Sequence, residues 1–175
     1  LLNTADKNSD ESLSIFDEEA DNGSASTIYA ANNLNIYNSD IQNLSSGILA
    51  KNGINIYDSS IINNNDKNII KYDEEGNLLL EGGLIYANNL TFSNISSITN
   101  DHKIKSDNNA NIIAKILTNN NLISAGNLLD IVTKDEFDNN SKITAKEIDI
   151  THESLINDLH NENGEISASN RLEIL

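Results

Sequence analysis

Seven times along this chain an isoleucine is followed two residues later by a small residue. Five or six residues after the isoleucine comes an apolar-x-apolar pair. The copies are Ile28-Ala30-Leu34-Ile36, Ile48-Ala50-Ile54-Ile56, Ile85-Ala87-Leu90-Phe92, Ile104-Ser106-Ala110-Ile112, Ile123-Ala125-Leu129-Ile131, Ile143-Ala145-Ile148-Ile150 and Ile166-Ala168-Leu172-Ile174. The first isoleucines are 20, 37, 19, 19, 20 and 23 residues apart, so the period is 19–20 with one step close to two periods. A fixed period of this size signals a repeat architecture whose units stack on one another.

The residues within a copy alternate as strands do, so Ile28 and Ala30 share one face, and Leu34 and Ile36 share another. A third apolar site follows 12–14 residues after the first isoleucine, at Ile41, Ile61, Ile98, Ile116, Phe137 and Leu155. Two residues beyond it stands Asn in five copies, at Asn43, Asn63, Asn100, Asn139 and Asn157. Strands this short cannot bury a core within one copy, but stacked copies can. The expected fold is therefore all-β: a right-handed parallel β-helix (solenoid) of 19–20 residues and three short strands per coil. Seven or eight coils would make a rod about 35–40 Å long. The alanine column marks a narrow part of the coil, and the Asn column is suited to an amide ladder. A period of 3.6 is missing, which argues against helix.

Residues 1–24 lack the motif and are acidic, and are expected to be an irregular segment or a cap on the first coil. Within them Leu13-Ser-Ile15-Phe16 has the look of an edge strand. The repeats occupy residues 25–175, with an irregular stretch at 64–84. That stretch reads either as an extra coil with a long corner or as a hairpin turning at Asp73–Gly76, and the lack of a third-site residue after Leu80 favours a hairpin or irregular coil. The 23-residue last step predicts a loop at about Asp158–Gly164. A motif copy at the very end and the absence of Met lead us to expect a fragment of a larger protein.

A net charge of −16 argues against nucleic acid or an anionic membrane as partner, since both need basic surface. No apolar run is long enough for a membrane span, so no membrane insertion is expected. Without Cys there is no disulfide framework, thiolate metal site or thiol nucleophile. His102, His152 and His160 lack metal-ligand spacing and read as solvated loop residues. Asp17–Gly23 resembles a calcium loop but has Gly at the wrong position for one. Asp135, Glu136 and Asp138 lie together in one corner, and no carboxylates align across neighbouring copies as a glycan-cleaving β-helix would require. Asn-x-Ser/Thr occurs at Asn22, Asn43, Asn89, Asn94 and Asn139, as chance allows in a chain with 32 Asn among 175 residues. No catalytic residue, metal ligand or cofactor site is expected.

The surface residues singled out are Tyr37 and Tyr57, equivalent positions in successive copies that should point outward. They either shield each other as a cross-strand pair or offer a platform for a sugar ring or partner chain. Tyr72, Glu74 and Glu75, in the irregular stretch, are further candidate contacts.

The run Asn121-Leu-Ile-Ser-Ala-Gly-Asn-Leu-Leu-Asp-Ile131, then Phe137-Asp-Asn-Asn-Ser141, then Lys142-Ile-Thr-Ala-Lys-Glu-Ile-Asp-Ile150 resembles the repeats of filamentous haemagglutinins. These belong to the large exoproteins of two-partner secretion, which include contact-dependent growth inhibition proteins. The resemblance covers residues 25–175, although this chain is richer in Asn, poorer in Gly and irregular at 64–84. It implies a secreted, non-enzymatic stalk or adhesin segment of a virulence-type exoprotein on the surface of a Gram-negative bacterium. The implied partners are an outer-membrane β-barrel transporter and an unidentified receptor or glycan on a host or neighbouring cell. Alternatives are a glycan-active or glycan-binding β-helix and an autotransporter passenger segment.

Overall fold

The structure is a computed structural model. It describes residues 14–16, 27–65, 70–72, 78–154 and 156–175, with side-chain surroundings for 27–65, 82–154 and 156–175. Among these residues there are strands and turns but no helix. The chain winds into seven stacked coils with three sheet faces, each residue lying over its counterpart in the next coil. On the first face Ile28 pairs with Ile48, Ile48 with Ile85, Ile85 with Ile104, Ile104 with Ile123, Ile123 with Ile143 and Ile143 with Ile166, all in parallel register. The second face stacks Ile36, Ile56, Phe92, Ile112, Ile131, Ile150 and Ile174 in the same way. The third stacks Ile41, Ile61, Ile98, Leu117, Phe137 and Leu159.

The parallel β-solenoid expected from the motif is what the chain forms. Its inward columns make one continuous core, in which Ile48, Ile56, Ile85, Phe92, Leu117 and Phe137 are wholly buried. The small column is a property of a corner. Ala50 and Ala87 are buried where the first face turns into the second. Ser106 takes the same place, where its hydroxyl lies 2.8 Å from the carbonyls of Asn88 and Asn109 and accepts the Asn108 N–H at 3.2 Å. A hydroxyl is tolerated at this buried corner because the backbone around it offers partners for its own donor and acceptor. One coil later the chain passes so close that a Cβ on Gly126 would lie 2.0 Å from the Asp107 carbonyl oxygen.

The inward Asn column is a continuous ladder on the third face. Asn43 Nδ2 donates to Asn63 Oδ1 at 2.7 Å, Asn63 to Asn100 at 2.9 Å, and Asn100 to Asn119 at 2.8 Å. Asn119 then donates to Asn139 at 2.7 Å and Asn139 to Asn161 at 2.6 Å. The rungs from Asn43 to Asn139 are fully buried. The same amides reach backbone carbonyls at the corner: Asn119 meets Asn121 O at 2.9 Å and, in the next coil, Lys142 O at 3.3 Å. The donors all point toward the C-terminal end, so the ladder's first acceptor, Asn43 Oδ1, is buried with no partner among the described residues.

Two columns differ from the sequence reading. Leu117, not Ile116, is the inward third-site residue: Leu117 is wholly buried, whereas Ile116 pairs with Glu136 and is half-buried. With that correction Asn119 fills the rung that seemed vacant. The sixth coil takes Leu159 as its third site and Asn161 as its rung, and Asn157 is exposed. Leu155 lies outside the described residues. The extra residues of the last step therefore sit between Ile150 and Leu159, earlier than the expected Asp158–Gly164. Second-to-third spacing is five or six residues in coils such as Ile56–Ile61 and Phe92–Ile98, but nine from Ile150 to Leu159.

The 37-residue step holds one coil rather than two. Ile48 pairs directly with Ile85 and Ile61 with Ile98, so 37 less the 20 of the preceding coil leaves a 17-residue insertion. It emerges between the third and first faces and contains an antiparallel pair, Ile70–Tyr72 with Leu78–Glu81. Gly83 ends it in a left-handed conformation, φ 73°, where a Cβ would meet Asn64 O at 2.7 Å. At the N-terminal edge Ser14–Phe16 pairs antiparallel with Thr27–Tyr29. The two ends differ in exposure: Leu34 and Ile36 of the first coil are 8% exposed, Leu172 and Ile174 of the last 46% and 47%.

Replacing Asn119 by Leu leaves Asn139 Oδ1 buried without its donor and removes the amide's hydrogen bonds to the Asn121 and Lys142 carbonyls. The expected cost is about 2–4 kcal/mol in urea unfolding followed by circular dichroism. Its exposed neighbour Asn120, changed to Leu in the same way, should shift stability by no more than about 0.5 kcal/mol.

Candidate functional site

Function on a solenoid must come from outward columns, since the inward ones are consumed by packing. The second face carries the most differentiated pair of these. Reading from the first coil to the last, one column holds Asn35, Asn55, Thr91, Asn111, Asp130, Asp149 and Glu173. The parallel column two residues on begins Tyr37, Tyr57, Ser93.

The structure brings Tyr37 and Tyr57 together. Their rings stack with centroids 5.1 Å apart and planes 12° from parallel. That separation is close to the strand spacing, so in-register pairing alone produces the stack. Tyr37 remains 57% exposed. Beside the rings, Asn55 Nδ2 donates to Asn35 Oδ1 at 2.8 Å, forming a short outward amide ladder. At the corner beyond, Asn38, Asp58 and Asn94 share a left-handed backbone, φ 49°, 51° and 54°, and Asn94 Nδ2 donates to Asp58 Oδ1 at 2.5 Å. Asn and Asp tolerate that conformation better than other residues with a Cβ. Tyr72 lies in the inserted hairpin, its side-chain surroundings undescribed, while Glu74 and Glu75 fall outside the described residues, as does Asp17–Gly23.

At the other end of the same face the register aligns what sequence inspection left unaligned. Asp130, Asp149 and Glu173 occupy one outward position on successive coils, and Glu147 pairs with Arg171 alongside. Arg171 is the only arginine in the chain. It forks onto Asp149, with Nη2 donating to Oδ2 at 2.7 Å and Nη1 to the other oxygen, and it reaches Glu173 at 3.0 Å and Glu147 at 3.5 Å. The Asp149 hydrogen bond is the main reason its guanidinium is held still more firmly protonated. Asp130 receives no such help: partial burial, then repulsion from Asp149, raises its pKa. Arginine therefore commits this column to ion pairing between the last two coils.

Further groups pair across coils. Asp107 accepts the Tyr86 hydroxyl hydrogen, and that bond, with some burial, pushes the phenol pKa up to about 12. Glu136 is raised chiefly by its hydrogen bond with Asp138, and Asp138 in turn meets His160 Nδ1 of the next coil at 3.0 Å. His152 is held rather than free: its Nδ1 lies 2.8 Å from the hydroxyl of buried Thr133 and its Nε2 2.9 Å from the Asn157 carbonyl. The carbonyl can only accept, so Nε2 carries hydrogen and, in the neutral ring, Nδ1 accepts from Thr133. Asn43 and Asn139, two of the five Asn-x-Ser/Thr positions, are rungs of the buried ladder.

Among the described residues no three His, Asp or Glu converge as a metal site, and no helix is long and apolar enough to cross a membrane. No protein family, curated protein or solved structure matches this chain.

Because its pKa is raised, ionised Asp130 opposes folding at neutral pH and ceases to do so as pH falls through its folded pKa. Asp130→Asn should raise the thermal midpoint at pH 7 by about 1–3 °C, and the gap to the parent chain should close on acidification toward pH ~4. Arg171→Ala should release the last coil first, seen as faster backbone amide exchange in residues 165–174 while the Ile104 and Ile123 coils keep their protection.

Proposed function

We propose that the segment is a rigid stalk of a large secreted bacterial surface exoprotein, holding binding or toxin modules at a distance from the cell. One observation carries this reading. Seven coils stack in parallel with their inward columns kept in line across local bulges, and both the buried amide ladder and the Arg171–Asp149 fork run from coil to coil. The inward residues are spent on the core, and some outward charges, Arg171 with Asp149 and Lys142 with Glu165, pair between coils. Such a body transmits length. Contacts join neighbouring coils, so folding propagates along the axis, which suits a chain exported unfolded. The sequence resemblance supplies the setting: a filamentous haemagglutinin-like, two-partner secretion adhesin or growth-inhibition protein, released through an outer-membrane β-barrel transporter.

Two experiments test this. In cells producing the parent protein, the segment should label with impermeant reagent from outside, and loss of the partner transporter should abolish the labelling. Exchanging residues 27–175 for an unrelated β-solenoid of equal coil number should leave adhesion or toxin delivery within about twofold. Loss of adhesion or delivery in a correctly displayed chimera would show that this segment carries recognition and is no plain spacer.

A further inference from the structure

The aromatic row on the second face ends after two coils, at Tyr57, and the third coil leaves a gap in the same outward column. Tyr57 stacks on Tyr37 with one ring face, and its other face looks toward the third coil. There its register partner is Ser93, a side chain of two heavy atoms. In the fourth coil the chain opposes the bulged Ser93–Asn94 with a single residue, Ile113, since pairing resumes only at Ala114 with Ile95. Tyr57 and Ile113 are thus two strand spacings apart, about 9.5 Å. A ring held between them at contact distances of about 3.5–4 Å on each side needs about 7–8 Å. One ring fits where the third aromatic is missing.

The surroundings specify which ring. The ceiling is an aromatic face and the floor a branched aliphatic, which suits the C–H faces of a pyranose. The flanks are polar: Asn55 and Thr91 on one side, the Asn94–Asp58 pair on the other. The Asn55–Asn35 bond uses one amide hydrogen of Asn55 and leaves its carbonyl oxygen as an acceptor for hydroxyl groups. Charge then selects among sugars. The chain carries −16, and Asp58 borders the slot, so a uronate or sulfated sugar is repelled and a neutral one is not. We propose that the gap at Ser93, between Tyr57 and Ile113, is a binding subsite for one ring of a neutral glycan chain. The row of coils lets the rest of the chain lie along the same face, over the exposed Tyr37. This assignment does not depend on the stalk reading: a stalk can bind no sugar, and a sugar site can sit on a protein that is no stalk.

The test is calorimetric titration of the 175-residue chain with cellohexaose, maltohexaose and mannohexaose, with an oligogalacturonate hexamer as the anionic comparison and a proline-rich decapeptide as the rival for an aromatic slot. Two variants read the site. Tyr57→Ala removes the ceiling. Ser93→Tyr adds the third ring of the stack, filling the gap while keeping the outward row intact, and circular dichroism checks that both fold. The expected result is one-to-one binding of at least one neutral hexaose, weakened tenfold or more by either variant, with no binding of the galacturonate or the peptide. The proposal is overturned by the absence of binding for all three neutral sugars at millimolar concentration. It is equally overturned by affinity that Ser93→Tyr leaves unchanged, or by galacturonate or peptide binding as tightly as the sugars.

Discussion

A primary amide can donate to its counterpart in the next coil while accepting from its counterpart in the last, and it keeps a second hydrogen for the backbone. The solenoid is organised around that property. From Asn43 to Asn161 each inward amide hands a hydrogen bond to the next, and these amides also reach carbonyls at the corner between the third and first faces. Net, each such bond contributes about 1 kcal/mol, but a vacancy inside the core costs about 1–3 kcal/mol. The ladder therefore contributes register more than raw stability. A coil shifted by one residue would turn its buried amide to solvent and bring an outward residue such as Thr118 or Asp138 into the core, and every column would lose its partner.

From that constraint the rest of the architecture follows. With the third face locked, the isoleucines of the other faces stack on themselves, and branched side chains fill the column without polar atoms to satisfy. Outward positions stack by the same register whether or not stacking favours them. For Tyr37 and Tyr57 it yields an aromatic pair, for Asn35 and Asn55 a second amide bond, and for Asp130 and Asp149 a like-charge contact. Arg171 in the adjoining column offsets that last cost for Asp149, which is why the acidic end of the face is held together rather than split. Corners absorb irregularity: a 17-residue insertion at one and a nine-residue link at another leave the columns in line.

The inward columns were legible in the sequence because burial forces the same residue type at the same place in every coil. Ile28 to Ile166 could be aligned by eye, and so the solenoid could be named. Corner lengths were not legible. A corner residue faces solvent and satisfies no column, so five or six residues serve equally well between the second and third faces. That freedom is what exchanged Ile116 for Leu117 and hid Asn119, and it placed the last rung at Asn157 instead of Asn161. The acidic column was illegible for the same reason: Asp130 and Asp149 lie 19 residues apart, but Glu173 lies 24 further on, and only the observed register equates them. Had the Asn rung been required in every coil, the sequence would itself have chosen Leu117, since Asn119 stands two residues beyond it.

The central claim is that the amides of Asn63, Asn100, Asn119 and Asn139 are shut inside the coil and bonded to one another. Hydrogen exchange of asparagine side-chain amides, resolved by nuclear magnetic resonance, measures this directly. The account predicts that these four exchange orders of magnitude more slowly than the outward Asn35 and Asn120, at rates that follow the neighbouring backbone amides. Exchange of the four as fast as that of Asn35 and Asn120 would contradict it.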